Sequence, residues 1–195
     1  MVGALYVDEV GIYSELADFI YGIERDARTY VGPYPVVAHP PCQRWGNWAG
    51  ERIGQDGGCF AAALAVVRQW GGVIEHPAGS KAWIWHHLRP PSARGGWRSA
   101  GDNIGLTCQI EQGHYGHRAR KATWLYYVGP QPPELKWGPS VAKIGPRPGR
   151  DPKREQRIGA VQRMGKAERE RTPRAFAELL LSLAGPAKAP VEVGR

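Results

Sequence analysis

No stretch of eighteen consecutive apolar residues occurs in the 195-residue chain, so no membrane-spanning helix is encoded. The opening residues, MVGALYVDEVGIYSEL, lack the basic start and apolar core of a secretory signal, and a cytoplasmic protein is the expectation. Cysteine is scarce. Cys42, Cys59 and Cys108 form an odd set with no close pair, which argues against a disulfide framework. A free thiol in a reducing compartment can act as a nucleophile. Cys108, His114 and His117 are too loosely spaced for a structural zinc site, and although His39 lies near Cys42, no metal is expected. No internal repeat is present. The length suits one domain with a sizeable core, and the hydrophobic content of 42% is ordinary for a globular protein.

The formal charge is +8, and its placement is uneven. Eleven Lys/Arg against four acids lie between Val141 and Phe176, a net +7. Such a tract suits contact with phosphates. It equally suits an irregular, solvated surface segment.

Apolar runs bounded by Pro and Gly give the order of elements. Ala4–Val7 reads as a short buried strand and Gly11–Tyr21 as a helix with Leu16, Phe19 and Ile20 on one face. Val36–His39 reads as a second strand, stopped by Pro40-Pro41, so that Cys42 begins a loop. Cys59–Trp70 is the clearest helix, with Asp56 as its cap and Gly71-Gly72 as its stop. Gly72–Glu75 is then a strand that ends before Pro77. This alternation implies an α/β fold with a mainly parallel sheet. Ser92–Asn103 reads as a loop, Thr107–Glu111 as an edge strand and Thr123–Val128 as a further strand. Thr172 caps a helix over Pro173–Ala184, with Phe176, Leu179, Leu180 and Leu183 on its apolar face. The organisation is therefore a core over 1–130, a basic Pro/Gly-rich segment over 131–171, a helix over 172–185 packing on the core, and a disordered tail over 186–195.

In a parallel α/β sheet the loops after the strands converge on one crevice. Here they bring His39-Pro-Pro-Cys42-Gln43, Glu75-His76-Pro77, and the segment from Gln112 to Arg118-Ala-Arg120-Lys121. A cysteine, a carboxylate and two arginines suit one reaction, alkylation of a pyrimidine at C5. A thiolate adds at C6 to make the ring electron-rich. A carboxylic acid serves N3 as negative charge develops there. Arginine holds the O2 edge and favours the thiolate. Cys59 and Cys108 read as packing residues. Trp45, Trp48, Trp83 and Trp85 flank the loops, and stack on an unpaired base or build an aromatic core.

These motifs resemble those of the DNA cytosine-C5 methyltransferases. That family carries a Pro-Cys-Gln loop, a Glu-Asn-Val or Glu-Asn-Pro loop, and a Gln-x-Arg-x-Arg segment running into a strand. The same order stands here as Pro41-Cys42-Gln43, Glu75-His76-Pro77 and His117-Arg118-Ala119-Arg120. The separations, 33 residues from Cys42 to Glu75 and 43 from Glu75 to Arg118, are similar to the family's. The middle of the second motif is His76 where the family has Asn. Arg171-Thr-Pro-Arg-Ala-Phe also resembles a late family motif, in which Thr-Pro opens a helix.

The resemblance implies a trimmed class I (Rossmann-like) methyltransferase fold, of a kind similar to shortened, phage-type enzymes. The localisation would then be the host cytoplasm. It implies Cys42 as nucleophile, Glu75 at N3, and Arg118 and Arg120 on the base or bracing the loop. It implies S-adenosylmethionine as methyl donor, for which Asp8, Gly11 and Asp26 stand in the cofactor positions. Only 41 residues precede Cys42, room for about one βαβ unit. Arg44, Lys121, Lys153, Arg154 and Arg157 are the candidate DNA contacts. The basic segment is short for a base-reading domain, which leaves sequence recognition to a protein partner or a homodimer. Two other readings remain: a DNA-binding module that lost the cofactor pocket, and an enzyme with the same chemistry on a free pyrimidine nucleotide.

Overall fold

The computed structural model describes residues 1–46, 49–141, 143–145, 149–151, 153, 161 and 163–185. The elements follow from the chain in order. They are β1 (Gly3–Leu5), α1 (Ile12–Leu16), β2 (Phe19–Tyr21), β3 (Val36–Ala38), α2 (Cys59–Trp70), β4 (Gly72–Pro77), α3 (Ala82–Trp85), β5 (Arg98–Ser99), β6 (Leu106–Glu111), β7 (Ala122–Val128), α4 (Lys166–Glu170) and α5 (Arg174–Ala184). The strands form one sheet in the order β2-β1-β3-β4-β7-β6-β5.

The sheet has two halves. β2, β1, β3 and β4 run parallel, whereas β4–β7, β7–β6 and β6–β5 are antiparallel pairs. The expectation of a mainly parallel sheet therefore holds for one half only. The cause is the length of the connections. Ten residues, from Gln112 to Lys121, join β6 to β7, too few for the crossover that parallel strands need. The expected edge strand is not at an edge either, because β5, inside the segment read as a loop, covers β6.

The expected helix over Gly11–Tyr21 is split. α1 ends at Leu16, and Ala17 is already extended. Phe19-Ile-Tyr21 is aromatic and β-branched, and it pairs with β1 rather than continuing a helix. Asp18 fixes the join by accepting the Val2 N–H at 2.6 Å.

Strand pleat and helices make two cores. On one face, α2 buries Phe60, Ala63, Leu64 and Val67 against Val36, Ala38, Ile74, Tyr126 and Val128. On the other, α1 and α5 cover Val37, Val73, Leu125, Tyr127 and Cys108. α5 buries Phe176, Leu180 and Leu183, each contributing about 1.5–3 kcal/mol, while Leu179 is half-buried. α2 starts where expected. Asp56 accepts the N–H groups of Gly58 and Phe60 and the indole N–H of Trp45. Trp45 and Trp83 are buried core residues, Trp85 is 57% exposed, and Trp48 lies outside the described residues. Cys108 is buried and Cys59 half-buried at the start of α2. The 186–195 tail also lies outside the described residues. No described helix is long and apolar enough to cross a membrane.

β2 and β3 lie on opposite sides of β1, so the winding direction switches between β1 and β3. Ligand crevices in α/β sheets form at such switch points, outside the carboxyl ends of the strands.

Candidate active site

Strand register builds the centre of the site. Ala38 of β3 pairs with Ile74 of β4, so the next residues, His39 and Glu75, leave the parallel ladder side by side. Neighbouring strands in register present the same face at equivalent positions. His39 Nδ1 accordingly lies 2.9 Å from Glu75 Oε2. The other ring nitrogen, Nε2, lies 2.7 Å from the hydroxyl of Tyr13, a buried residue of α1. From the antiparallel half, Gln112 donates its amide to Glu75 Oε1 at 3.1 Å and to Thr123 Oγ1 at 2.9 Å. The Thr123 hydroxyl donates to the carbonyl of Lys121, which fixes the direction of this chain of bonds.

Both oxygens of the buried Glu75 are thus hydrogen-bonded. Burial is the strongest influence on its pKa and pushes it up. The His39 hydrogen bond, with the positive potential of His39, Lys121 and His76, outweighs burial and leaves Glu75 below its ordinary value. Tyr13 is pushed well up, by burial first and by Glu75 second, so it stays a phenol.

Cys42 sits on the loop after β3, its carbonyl accepting the N–H of Trp45 at 3.0 Å. The residue is exposed. Its thiol is pushed up by the surrounding protein first, then by the Glu75 charge and by Glu170 of α4, while Lys121 pulls it down. Lys121 completes the group. Its backbone is left-handed, with φ of 39° just before β7, and the residue is half-buried. Burial lowers its pKa against the opposing pull of Glu75, Cys42 and Glu170. Its ammonium makes no hydrogen bond or ion pair with a described residue.

His76, one residue beyond Glu75, points to the opposite face of the sheet and packs edge-on against Phe60 with ring centroids 5.4 Å apart. Its Nδ1 lies 2.7 Å from Ser80 Oγ, which also accepts the Ala82 N–H, and the ring's other nitrogen faces carbonyls that can only accept, so in the neutral ring the hydroxyl donates to Nδ1. Nε2 therefore carries the proton. It faces the carbonyls of Pro40 and Pro41 without closing a full hydrogen bond. Burial, opposed by Glu75, holds its pKa down at about 4, so the ring is neutral. A neutral Nε2–H offers the proline loop a donor, as an asparagine amide would.

The two expected arginines do not join this group. Arg118 is exposed and pairs with Glu168 of α4 at 2.5 Å. Arg120 pairs with Glu111 at 2.6 Å, and Glu111 also accepts the backbone N–H and hydroxyl of Ser140. The pleat explains this. Thr123 and Leu125 share the face of Glu75, whereas Ala122 lies opposite Glu111 and faces the other way. The arginines brace the turn between β6 and β7, and Lys121 is the cation on the Cys42 side. Tyr13, His39 and Gln112 were not assigned roles from the sequence. The signal for His39 is its place one residue beyond β3, level with Glu75.

The cofactor candidates do not form a cradle. Asp8 accepts the N–H of Val10 within its own turn, and Gly11 opens the five-residue α1. Asp26 caps a short 3-10 turn and binds the guanidinium of Arg28 with both oxygens, which holds its pKa at about 2. These residues do not fit S-adenosylmethionine. Among the described residues no three His, Cys, Asp or Glu gather as metal ligands. Arg44 is half-buried beside Cys42, Lys153 is exposed, and Arg154 and Arg157 lie outside the described residues. No family model matches the chain, and no curated protein sequence matches it.

Proposed function

We propose that the protein is a DNA-modifying enzyme of the cytosine-C5 methyltransferase kind. Its base pocket would lie at the carboxyl ends of β3 and β4, facing the β6–β7 turn. One observation carries this reading: an ionised, doubly hydrogen-bonded Glu75 within electrostatic reach of both Cys42 and Lys121, which pairs with no described residue. The switch of winding direction between β1 and β3 also supports a trimmed class I fold.

In this reading the Cys42 thiolate forms a bond to C6 of the pyrimidine. The C5–C6 π pair shifts toward C4, and N3 takes a proton delivered through Glu75. Lys121, in place of the arginines, steadies the thiolate and the O2 edge. The base must leave the duplex to reach this crevice, and the basic segment provides phosphate contacts for that purpose. S-adenosylmethionine is the donor in the family that the motifs resemble.

A second reading is a base-binding module without transfer. The engagement of Asp26 with Arg28 and the raised Cys42 thiol favour it. One experiment separates the two. The protein is incubated with DNA containing 5-fluorocytosine, with and without S-adenosylmethionine, whose binding is titrated by calorimetry. A covalent adduct lost in Cys42→Ser supports the enzyme. Salt-sensitive DNA binding without an adduct or cofactor binding supports the module.

A further inference from the structure

Glu75 poses a problem of proton supply. A carboxyl that serves N3 must hold a proton at the moment of attack, yet both oxygens here accept hydrogen bonds and the group rests ionised. The neighbouring residues offer one source. We propose that His39 is the proton store for Glu75, and that Tyr13 positions the His39 ring for this task.

The geometry is a continuous line. The Tyr13 hydroxyl lies 2.7 Å from His39 Nε2, and His39 Nδ1 lies 2.9 Å from Glu75 Oε2. Both are ordinary hydrogen-bond lengths. The phenol is fully buried in the α1 face, so it clamps the ring from the side away from Glu75. Histidine is the side chain that takes up and releases a proton near neutral pH. Tyr13 keeps its own proton, because burial and the Glu75 charge both oppose a phenolate. It accepts from Nε2–H while His39 is an imidazolium or has passed its Nδ1 proton to Glu75, and it donates to Nε2 only in the neutral ring that keeps its proton on Nδ1.

This rests on the reading of Glu75 as the partner of N3. With Cys42 entering as the thiolate, its thiol proton already released to water, the remaining proton balance needs no other reactant. As Sγ of Cys42 bonds to C6, the displaced electron pair reaches N3, which takes a proton from the Glu75 carboxyl. The carboxyl takes one in turn from His39 Nδ1, and the ring is left neutral with its Nε2–H still donating to the Tyr13 oxygen. When the bond between sulfur and C6 breaks, the proton returns along the same line. His39 and Tyr13 act through Glu75 and are positioning residues. The other charged and titratable groups around the line are His76 on β4, Lys121 before β7, Cys42 on its loop and Glu170 on α4. Lys121 and Glu170 carry opposite charges.

The test uses the full chain labelled with 15N at histidine. Ring spectra are recorded from about pH 5 to about pH 9. The expected result is that His39 passes from imidazolium to a ring protonated only at Nδ1, and that Glu75→Gln lowers its midpoint by about one pH unit or more. Tyr13→Phe is expected to change the Nε2 resonance and the midpoint while leaving the fold intact. A His39 ring that stays neutral throughout, or a midpoint indifferent to Glu75→Gln, overturns the proposal.

The second arm follows the rate of adduct formation with 5-fluorocytosine DNA against pH. In His39→Asn the amide still donates to Glu75 but stores no proton. The expected loss is about a hundredfold, with the limb of the pH profile that tracks His39 gone. An unchanged profile overturns the relay and leaves the pyrimidine pocket standing. If no protein forms an adduct while His39 still titrates with Glu75, the pyrimidine reading fails and the coupled line remains.

Discussion

Arg120 and Lys121 are consecutive residues that serve different sides of the sheet: the guanidinium of Arg120 closes on Glu111, and Lys121 lies in the field of Glu75 and Cys42. The reactivity of Cys42 should therefore depend on Lys121 and Glu75. Lys121→Met removes a cation that lowers the thiol pKa, so alkylation by iodoacetamide near neutral pH should slow. Glu75→Gln removes the anion that raises it, so alkylation should quicken. About three- to tenfold in each direction corresponds to half to one pH unit. The measurement is the pH–rate profile of Cys42 alkylation in each protein. Equal profiles would remove Lys121 and Glu75 from the site.

Arg120→Ala provides the contrast. It leaves the buried Glu111 carboxylate with only the two groups of Ser140 as donors. A carboxylate robbed of its cation costs more than a surface pair is worth, and about 1–3 kcal/mol of stability should be lost. Chemical denaturation measures this loss. The alkylation profile of Cys42 should stay as in the unaltered protein, because the guanidinium faces away from the thiol. A profile that moved as far as that of Lys121→Met would contradict the face assignment.

His76 predicts a dependence of stability on pH. Its folded pKa is about 4, below the ordinary 6.5. Between these values the unfolded chain binds a proton that the folded one refuses, so stability is fully present above about 6.5 and falls as the pH drops toward 4. The loss across this window is about 3 kcal/mol. Glu75, with a lowered pKa, adds its own loss at more acidic pH, as the carboxylate is protonated. His76→Asn keeps a donor toward Pro40 and Pro41 and cannot titrate. Thermal melts across the window should show a much flatter decline in that variant. The same steep decline in both proteins would place the acid sensitivity elsewhere.

Where the sequence was readable, and where it was not, follows from the same residues. The runs over 36–39, 59–70 and 72–75 are apolar and fenced by Pro or Gly, so β3, α2 and β4 and the loops bearing Cys42 and Glu75 could be placed. The antiparallel return was not visible, because the pairing of β6 and β7 depends on a turn whose Gln112–Tyr115 segment is a 3-10 helix. That turn also hid the cation. Which of two consecutive cations faces Glu75 is fixed only by the register of β7 against β4 and β6, which a motif match to Arg118 and Arg120 does not contain. Tyr13 resembled any aromatic of an amphipathic helix, and its role came from a partner 26 residues away. Asp8 and Asp26 each accept an N–H group within their own turn, an engagement that no spacing argument foresees.

The Cys42 loop and the start of α2 should be energetically coupled through Asp56. This carboxylate accepts the N–H groups of Gly58 and Phe60 and the indole N–H of Trp45, while the Trp45 backbone donates to the Cys42 carbonyl and accepts from Lys81. Asp56→Ala removes a helix cap worth about 1–2 kcal/mol. It also leaves a buried indole donor unpaired, at a further cost of about 1–3 kcal/mol. A denaturation midpoint lowered by the sum is expected. Asp56→Asn keeps an acceptor oxygen and should lose less than half as much. Because Trp45 is the anchor of the loop, the Ala variant should also expose Cys42 further, and its alkylation at a fixed alkaline pH should quicken. A variant that loses the stability while Cys42 reacts at its original rate would show that the loop is held by Pro40-Pro41 alone and not by the Trp45 anchor.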